Sequence, residues 1–316
     1  MNRTTLALLT AVSLSIACAK PEIQPTPAHS NTRAELWAQP AAPRDLFYGP
    51  GGAGLAPSPD TRFTVKKRDP SGFSTTLDLV DGHGREWSAK LGPEAQSEVV
   101  SSRLVWALGY HQPPAYFSPE LIVREDGKEV RETHVRLRPK VDWLDSQDIW
   151  SWHQNPFVGT QPYRGLLVMM MMLNSTDLKG ANNALYLVTR PGQRPRHWYV
   201  VKDLGASLGT TGKLFPQRND VDEFERHGFI KEVTGRTVAF EFAGRHQELL
   251  QNLTVADVRW ISRRLARLTD RQWDDAFRAG GYPEDVRRRY IAKMKAKVRE
   301  GLALRPTGDS RTRGTR

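Results

Sequence analysis

The sequence predicts an α+β fold in two lobes, a strand-rich lobe first and a helical lobe after it. Three observations carry this. Between Arg62 and Leu137, runs of β-branched and aromatic residues are punctuated by turn signals such as Asp81-Gly82-His83-Gly84 and Glu125-Asp126-Gly127-Lys128. Tyr163 to Leu173 is apolar nearly all round, the pattern of a buried helix too short to span a bilayer. From Thr254 onward helix starts recur: Thr254 with Asp257, Thr269 with Gln272, and Pro283-Glu284-Asp285.

Taken in order, Arg62 to Arg68 reads as a strand, and Asp69-Pro70-Ser71-Gly72-Phe73-Ser74 as a polar turn whose amides and hydroxyls could cradle an anion. Ser74 to Val80 and Arg85 to Leu91 form a hairpin, with Lys90 near its end. Gly92-Pro93-Glu94 opens a helix in which Val99, Val100, Leu104, Val105 and Leu108 recur with helical period, until Gly109 stops it. Glu94 and Glu98, four apart, share one face of that helix, so either could reach Lys90. Glu120 to Arg124 and Glu129 to Leu137 make a further hairpin, followed by a hinge at Arg138-Pro139-Lys140. The earlier run Gly49 to Gly54 reads as a flexible entry loop. Residues 143–162 lack a period, and their indoles Trp143, Trp150 and Trp152 read as packing residues. The four methionines 169–172 read as core filler.

Two short clusters carry the chemistry. Asp177-Leu178-Lys179-Gly180-Ala181-Asn182 is followed, 26 positions after Asp177, by Asp203-Leu204-Gly205. Between them Ala184 to Val188 and His197 to Lys202 read as strands joined by the turn-rich Pro191-Gly192-Gln193-Arg194-Pro195. Such a hairpin returns the second cluster to the side of the first, setting two carboxylates and an amide together. Ala206 to Gly212, small and flexible, reads as a mobile loop over a cleft. Phe224 to Phe242 is ambiguous, with room for a strand pair.

These clusters resemble the catalytic loop and metal-binding turn of the protein-kinase-like superfamily. The helix string Glu98-Val99-Val100-Ser101-Ser102-Arg103-Leu104 is similar to that of its HipA-like and phosphatidylinositol-kinase-like members. The match departs in places. Ser175-Thr176 precede Asp177 where His-Arg is usual, Leu204 replaces phenylalanine, and no G-x-G-x-x-G lies in the first hairpin. The resemblance implies a two-lobed protein-kinase-like fold and a nucleotide cofactor, ATP or another nucleoside triphosphate, with Mg²⁺ or Mn²⁺. It also implies roles. Lys90 holds phosphate oxygens and Glu98, preferred over Glu94, orients it; Ser71, Gly72 and Ser74 contact phosphate; Asp177 is the base; Lys179 steadies the transferring phosphoryl group; Asn182 and Asp203 bind metal.

The N-terminus addresses location. Arg3, the apolar stretch Leu6 to Ala17 and then Cys18 describe an export signal. Leu14-Ser15-Ile16-Ala17-Cys18 resembles a bacterial lipobox, which implies lipidation of Cys18. Cys18 is the only cysteine, so no disulfide forms within the chain. The expected organisation is a signal peptide over 1–17, a Pro-rich tether over 18–45, lobes over 46–140 and 141–304, and a disordered basic tail over 305–316.

The net charge of +11 is concentrated toward the C-terminus, at Arg263, Arg264, Arg267, Arg287, Arg288, Arg289, Lys293, Lys295 and Lys297. Such faces suit an anionic envelope surface, and no nucleic-acid motif accompanies them. No H-x-x-x-H or C-x-x-C spacing marks a zinc site. The sequence therefore points to an exported, lipid-anchored kinase-like protein at the cell envelope that transfers a phosphoryl group. The alternative is a catalytically inactive kinase-like lipoprotein that binds a ligand or partner. CotH-like kinases show that the superfamily can be exported.

Overall fold

The computed structural model describes residues 32–211 and 217–307. The signal segment, Cys18 and the last nine residues lie outside them. In chain order the elements are β1 (Arg33–Glu35), β2 (Phe63–Asp69), β3 (Thr76–Asp81), β4 (Glu86–Leu91), α1 (Glu94–Ala107), β5 (Tyr116–Glu125), β6 (Lys128–Pro139), β7 (Leu144–Asp148), α2 (Gln161–Met172), β8 (Asn183–Val188), β9 (Arg196–Val201), α3 (Val221–Arg226), β10 (Ile230–Thr234), β11 (Thr237–Phe240), α4 (Val255–Leu265), α5 (Asp270–Ala279) and α6 (Glu284–Ala303). The architecture is α+β and two-lobed: three strands, one helix and two further strands make the first lobe, and a helical lobe with a small sheet follows.

The first lobe is a closed five-stranded barrel in the order β2-β3-β4-β6-β5. Three antiparallel hairpin-type pairings follow from the turn signals. Closure comes from a parallel pairing of β2 with β5, Phe63 against Val123 and Thr64 against Arg124. Strand alternation sorts the side chains. Leu77, Leu79, Trp87, Ala89, Val135 and Leu137 fill the barrel, so Thr76, Asp78, Ser88, Lys90, Arg136 and Arg138 take the opposite face.

The second lobe is built on α2, whose four methionines are at most 2 % exposed and whose Thr160 cap accepts from the Tyr163 amide. Its core also takes Trp150, Trp152, Trp273 and Tyr290. A four-stranded sheet, β1-β9-β8-β7, stands beside it. The lysine of α6 that faces inward, Lys297, is 1 % exposed and donates to the Met172 carbonyl and to Asn174 Oδ1, both at 2.9 Å. Phe224 lies 4.3 Å beneath its ammonium, and burial pushes its pKa well below that of an ordinary lysine. This contact pins the end of α2, where the chain leaves toward Asp177.

Four expectations are corrected. The described part of the stretch expected as a tether over 18–45 is packed: β1 pairs in parallel with β9, Ala34 against His197, and Leu36, with Leu46 just beyond, is buried in the second lobe's core. Apolar Leu36 and Trp37 gave that segment something to bury. The Gly49 to Gly54 run is ordered as two 3-10 turns; a side chain at Gly49, where φ is +70°, would collide with the buried Arg103 guanidinium. Residues 206–211 are buried, with the Leu208 amide donating to the Leu173 carbonyl at 2.8 Å, so this part of the expected mobile loop is core. Within the tail expected from 305, Thr307 is anchored, its amide donating to the Gly235 carbonyl at 2.9 Å.

The basic C-terminal helices are also less free than their composition suggests. Arg287 pairs with Asp274 at 2.8 Å, Arg289 with Glu225 at 2.6 Å and Lys295 with Asp270 at 2.6 Å, while the Arg264 guanidinium stacks 3.4 Å over Trp260. Among the described residues no helix is long and apolar enough to cross a membrane.

Gly165 sits where α2 meets Trp260, and a Cβ there would lie 2.5 Å from the indole. Gly165→Ala is therefore expected to cost about 1–3 kcal/mol by overpacking, despite alanine's better helix propensity. Urea unfolding of the two proteins checks it, and a stabilised variant would contradict this packing.

Candidate active site

The site begins with strand register. Lys90 on β4 lies opposite Arg136 on β6, and Ser88 lies opposite Arg138. Three cations thus share the outer face of the barrel, and like charges at cross-strand spacing repel. Helix α1 crosses that face and supplies the counter-charge. Glu98, 1 % exposed, has its Oε1 2.8 Å from Arg136 Nε and 2.7 Å from Arg138 Nη2, while Lys90 Nζ donates to its Oε2 at 3.1 Å. Burial alone would raise the Glu98 pKa; Arg136, Arg138 and Lys90 together hold it below the usual carboxylate range.

Lys90 has two further partners. Its ammonium lies 2.8 Å from Glu94 Oε2 and donates to both oxygens of Asp203 at 3.0 Å. Of the two glutamates left open by the sequence, both reach Lys90. Burial works against its charge, but Glu98, Asp203 and Glu94 more than offset that and raise its pKa above the ordinary lysine value. Glu94 is in turn tied to Arg218 and accepts from Ser74 Oγ at 3.2 Å.

The β8–β9 hairpin delivers Asp203. Asn183 pairs with Val201, which sets Asn182 across from the residues that follow β9, and the Asn182 carbonyl accepts from the amides of both Lys202 and Asp203 at 2.9 Å. Asn182 Nδ2 donates back to the Asp177 carbonyl at 2.7 Å. One asparagine therefore binds the two aspartate-bearing segments, and with Nδ2 engaged its Oδ1 is the atom left to act as an acceptor. Asp203 Oδ1 also accepts from the Gly205 amide at 3.1 Å. Gly205 must be small, because a Cβ there would lie 2.8 Å from that of Glu94. Serines on α1 permit the same close approach: Ser97 Oγ donates to the Gly205 carbonyl at 2.8 Å and Ser101 Oγ lies 2.8 Å from Ser207 Oγ.

Asp177 stands between two cations, with Lys179 Nζ 2.7 Å from Oδ2 and Arg245 Nε 3.3 Å from Oδ1. The turn over Ser71 to Ser74 divides. Ser71 and Gly72 are exposed, the Ser71 amide being taken by Asp69 Oδ1 at 2.9 Å. Ser74 is buried, and its hydroxyl is committed to Glu94 rather than turned outward. Phe73, 72 % exposed, carries the Arg218 guanidinium 4.2 Å over its ring.

A cavity of about 590 Å³ opens where the lobes meet, lined by Lys66, Ser88, Arg138, Lys140, Tyr186 and Lys202 among others. Its volume falls in the range of small-molecule sites, roughly 300–1,000 Å³. Arg138 and Lys202 connect it to the charge cluster; Arg138 Nη2 donates to the Lys202 carbonyl at 2.6 Å. Burial, with Arg138 and Arg136 nearby, lowers the Lys202 pKa.

Comparison with solved structures finds distant likenesses. The chain is similar to the proinflammatory kinase CtkA of Helicobacter pylori, at a TM-score of 0.41 and 10 % identity, covering 77 % of this chain and 92 % of that one. It is also similar to the Rio2 kinase of Chaetomium thermophilum in its ADP/Mg²⁺-phosphoaspartate complex, at a TM-score of 0.32 and 10 % identity, covering 75 % and 70 %. No family model matches the sequence, and no curated protein matches it.

Arg136, Arg138, Arg218 and Arg245 were missed as site residues. The first two had a signal: in Val135-Arg136-Leu137-Arg138 the apolar residues alternate with arginines, which puts both arginines on Lys90's face. The other two had none, since their contacts span 124 and 68 positions.

Removing the counter-charge should be costly. Glu98→Gln leaves three cations around a neutral amide and is expected to destabilise by about 3–5 kcal/mol, as for other broken buried pairs. A loss below about 1 kcal/mol in urea unfolding would contradict its central place. Acid sensitivity gives a second check. Burial raises the Asp203 pKa, but Lys90, the Gly205 amide and Arg138 outweigh it and bring it to about 2, against 3.8 for a free aspartate. Because the folded value is the lower, ionised Asp203 stabilises the protein above about pH 4, and that contribution fades as pH falls through about 2. The difference in melting temperature between wild type and Asp203→Asn should therefore be constant at neutral pH and shrink between these limits.

Proposed function

We propose that this chain binds a nucleoside triphosphate with a divalent cation and transfers the terminal phosphoryl group to an acceptor hydroxyl. One observation carries the reading: Lys90, Asp203, Asn182 and Asp177, drawn from segments far apart in sequence, are joined by direct contacts at the junction of the lobes. The donor set suits the group. Asp203 and Asn182 offer a carboxylate and an amide oxygen, hard ligands of the kind Mg²⁺ and Mn²⁺ prefer, and the Asp203 side chain is 37 % exposed. When bound, the cation would neutralise phosphate charge.

The residues of the chain do the rest. Lys90 and Asp203 satisfy each other, and a phosphate oxygen and a cation are the complementary partners that would separate them. Glu98 keeps Lys90 oriented from a buried position. Asp177 receives the acceptor's proton as the acceptor oxygen bonds to phosphorus and the bond to the leaving diphosphate breaks. Lys179 stands against Asp177, where it can steady the transferring group. Positioning and charge neutralisation supply most of what phosphoryl transfer demands. In this reading the chain is exported and lipid-anchored through Cys18, with the acceptor at the cell envelope; the signal-like N-terminus supports that placement.

ATP with Mn²⁺ should raise the melting temperature of the wild type, and Asp203→Asn should lose that rise. Asp177→Asn should keep the rise but lose labelled-phosphate transfer by about 10²–10⁴-fold, the usual worth of a positioned base. A metal-dependent shift of wild-type size in Asp203→Asn would refute the assignment.

A further inference from the structure

The histidines show no metal-binding spacing in the sequence, yet folding gathers two of them around one carboxylate. His153 lies on the loop between β7 and α2, while His246 and Glu248 lie on the segment after β11. His153 Nε2 is 2.9 Å and His246 Nδ1 is 2.8 Å from the same oxygen, Glu248 Oε1. The two imidazole rings meet edge to face with centroids 4.8 Å apart. One ligand atom from each residue lies within 4.8 Å of the others. A tetrahedral ion with bonds of about 2.0–2.1 Å sets its ligand atoms about 3.3 Å apart, so small side-chain rotations admit one.

We propose that His153, His246 and Glu248 form a binding site for a transition-metal ion of the zinc class, separate from the phosphoryl-transfer site. Two imidazole nitrogens and one carboxylate oxygen are the donors such an ion selects, whereas Mg²⁺ demands a near-octahedral shell of oxygens. The side chains are 39 %, 27 % and 53 % exposed, which gives an ion access and leaves room for water in its fourth position. The site is fastened to the Asp177 segment: the Arg245 amide donates to the Thr176 carbonyl at 3.0 Å, and Arg245 Nε is 3.3 Å from Asp177 Oδ1. A bound ion would tie the 151–153 and 244–248 loops together beside Asp177. The proposal does not depend on phosphoryl transfer.

The test is titration of the full chain, carrying Cys18→Ser so that the lone thiol contributes nothing, with Zn²⁺ by calorimetry and with Co²⁺ by visible absorption. The expected result is one ion per chain, a cobalt d–d spectrum of low-coordinate type, and no competition from excess Mg²⁺. His153→Ala/His246→Ala should weaken Zn²⁺ binding by more than about 100-fold, beyond the 10–100-fold that loss of a supporting contact costs. Glu248→Gln, which keeps the shape of the side chain, should weaken it in the same direction. All variants should melt as the parent does in the presence of chelator, because the side chains removed lie partly in solvent. Equal Zn²⁺ affinity in parent and double variant would overturn the site, as would a parent that gives no cobalt spectrum. Both outcomes are independent of whether the protein turns over ATP.

Discussion

A single buried carboxylate neutralises the charged barrel face at which the two lobes meet. The barrel's register places Lys90, Arg136 and Arg138 side by side on one face, an arrangement that repulsion would open without a counter-charge. Glu98 provides it with both oxygens. The requirement propagates. Glu98 must come from an element crossing the barrel face, so α1 lies there. Arg138 must stay beside Glu98 while also donating to the Lys202 carbonyl, so the end of β9 is drawn to the barrel, and Asp203 arrives beside Lys90.

The second lobe meets this cluster with a rigid platform. From Gly165 onward helix α2 is apolar and buried, and the chain leaves it through an asparagine held by a buried lysine. Asn174 also donates to the Gly209 carbonyl at 2.8 Å, which ties the approach to Asp177 to the segment following Asp203. Small residues allow the layers to touch: Gly205 against Glu94, Ser97 against Gly205, Ser101 against Ser207. The consequence is a site whose polar groups are positioned by packed backbone rather than by free loops. The burial of Leu208, Thr210 and Thr211 extends that rigidity into the segment that composition alone would make mobile.

Charge in this protein is mostly matched locally. Glu35 lies 3.4 Å from Arg196 and 3.5 Å from His111, while burial and the neighbouring Arg44, Arg196 and Arg190 push His111 down to about 3, so that ring is neutral and stacks flat on Trp198. The C-terminal helices likewise pair much of their positive charge with acids on α3 and α5. A net charge counted from the sequence thus overstates the field those helices present.

What the sequence determined by itself was a set of elements governed by near neighbours. Period-two alternation and turn residues set the hairpins β3–β4, β5–β6 and β8–β9, capping boxes set α4 and α5, and an apolar run set α2. The hairpin between Asn182 and Asp203 was legible for the same reason, since a short turn forces its ends together. Only the tertiary structure decided the parallel pairings of β2 with β5 and β1 with β9, the approach of Asp203 to Lys90, and the reach of Arg218 and Arg245. It also decided the meeting of His153 with His246. These contacts join positions tens of residues apart, where no local pattern distinguishes the true partner, and their energy is felt only once burial removes the competing water.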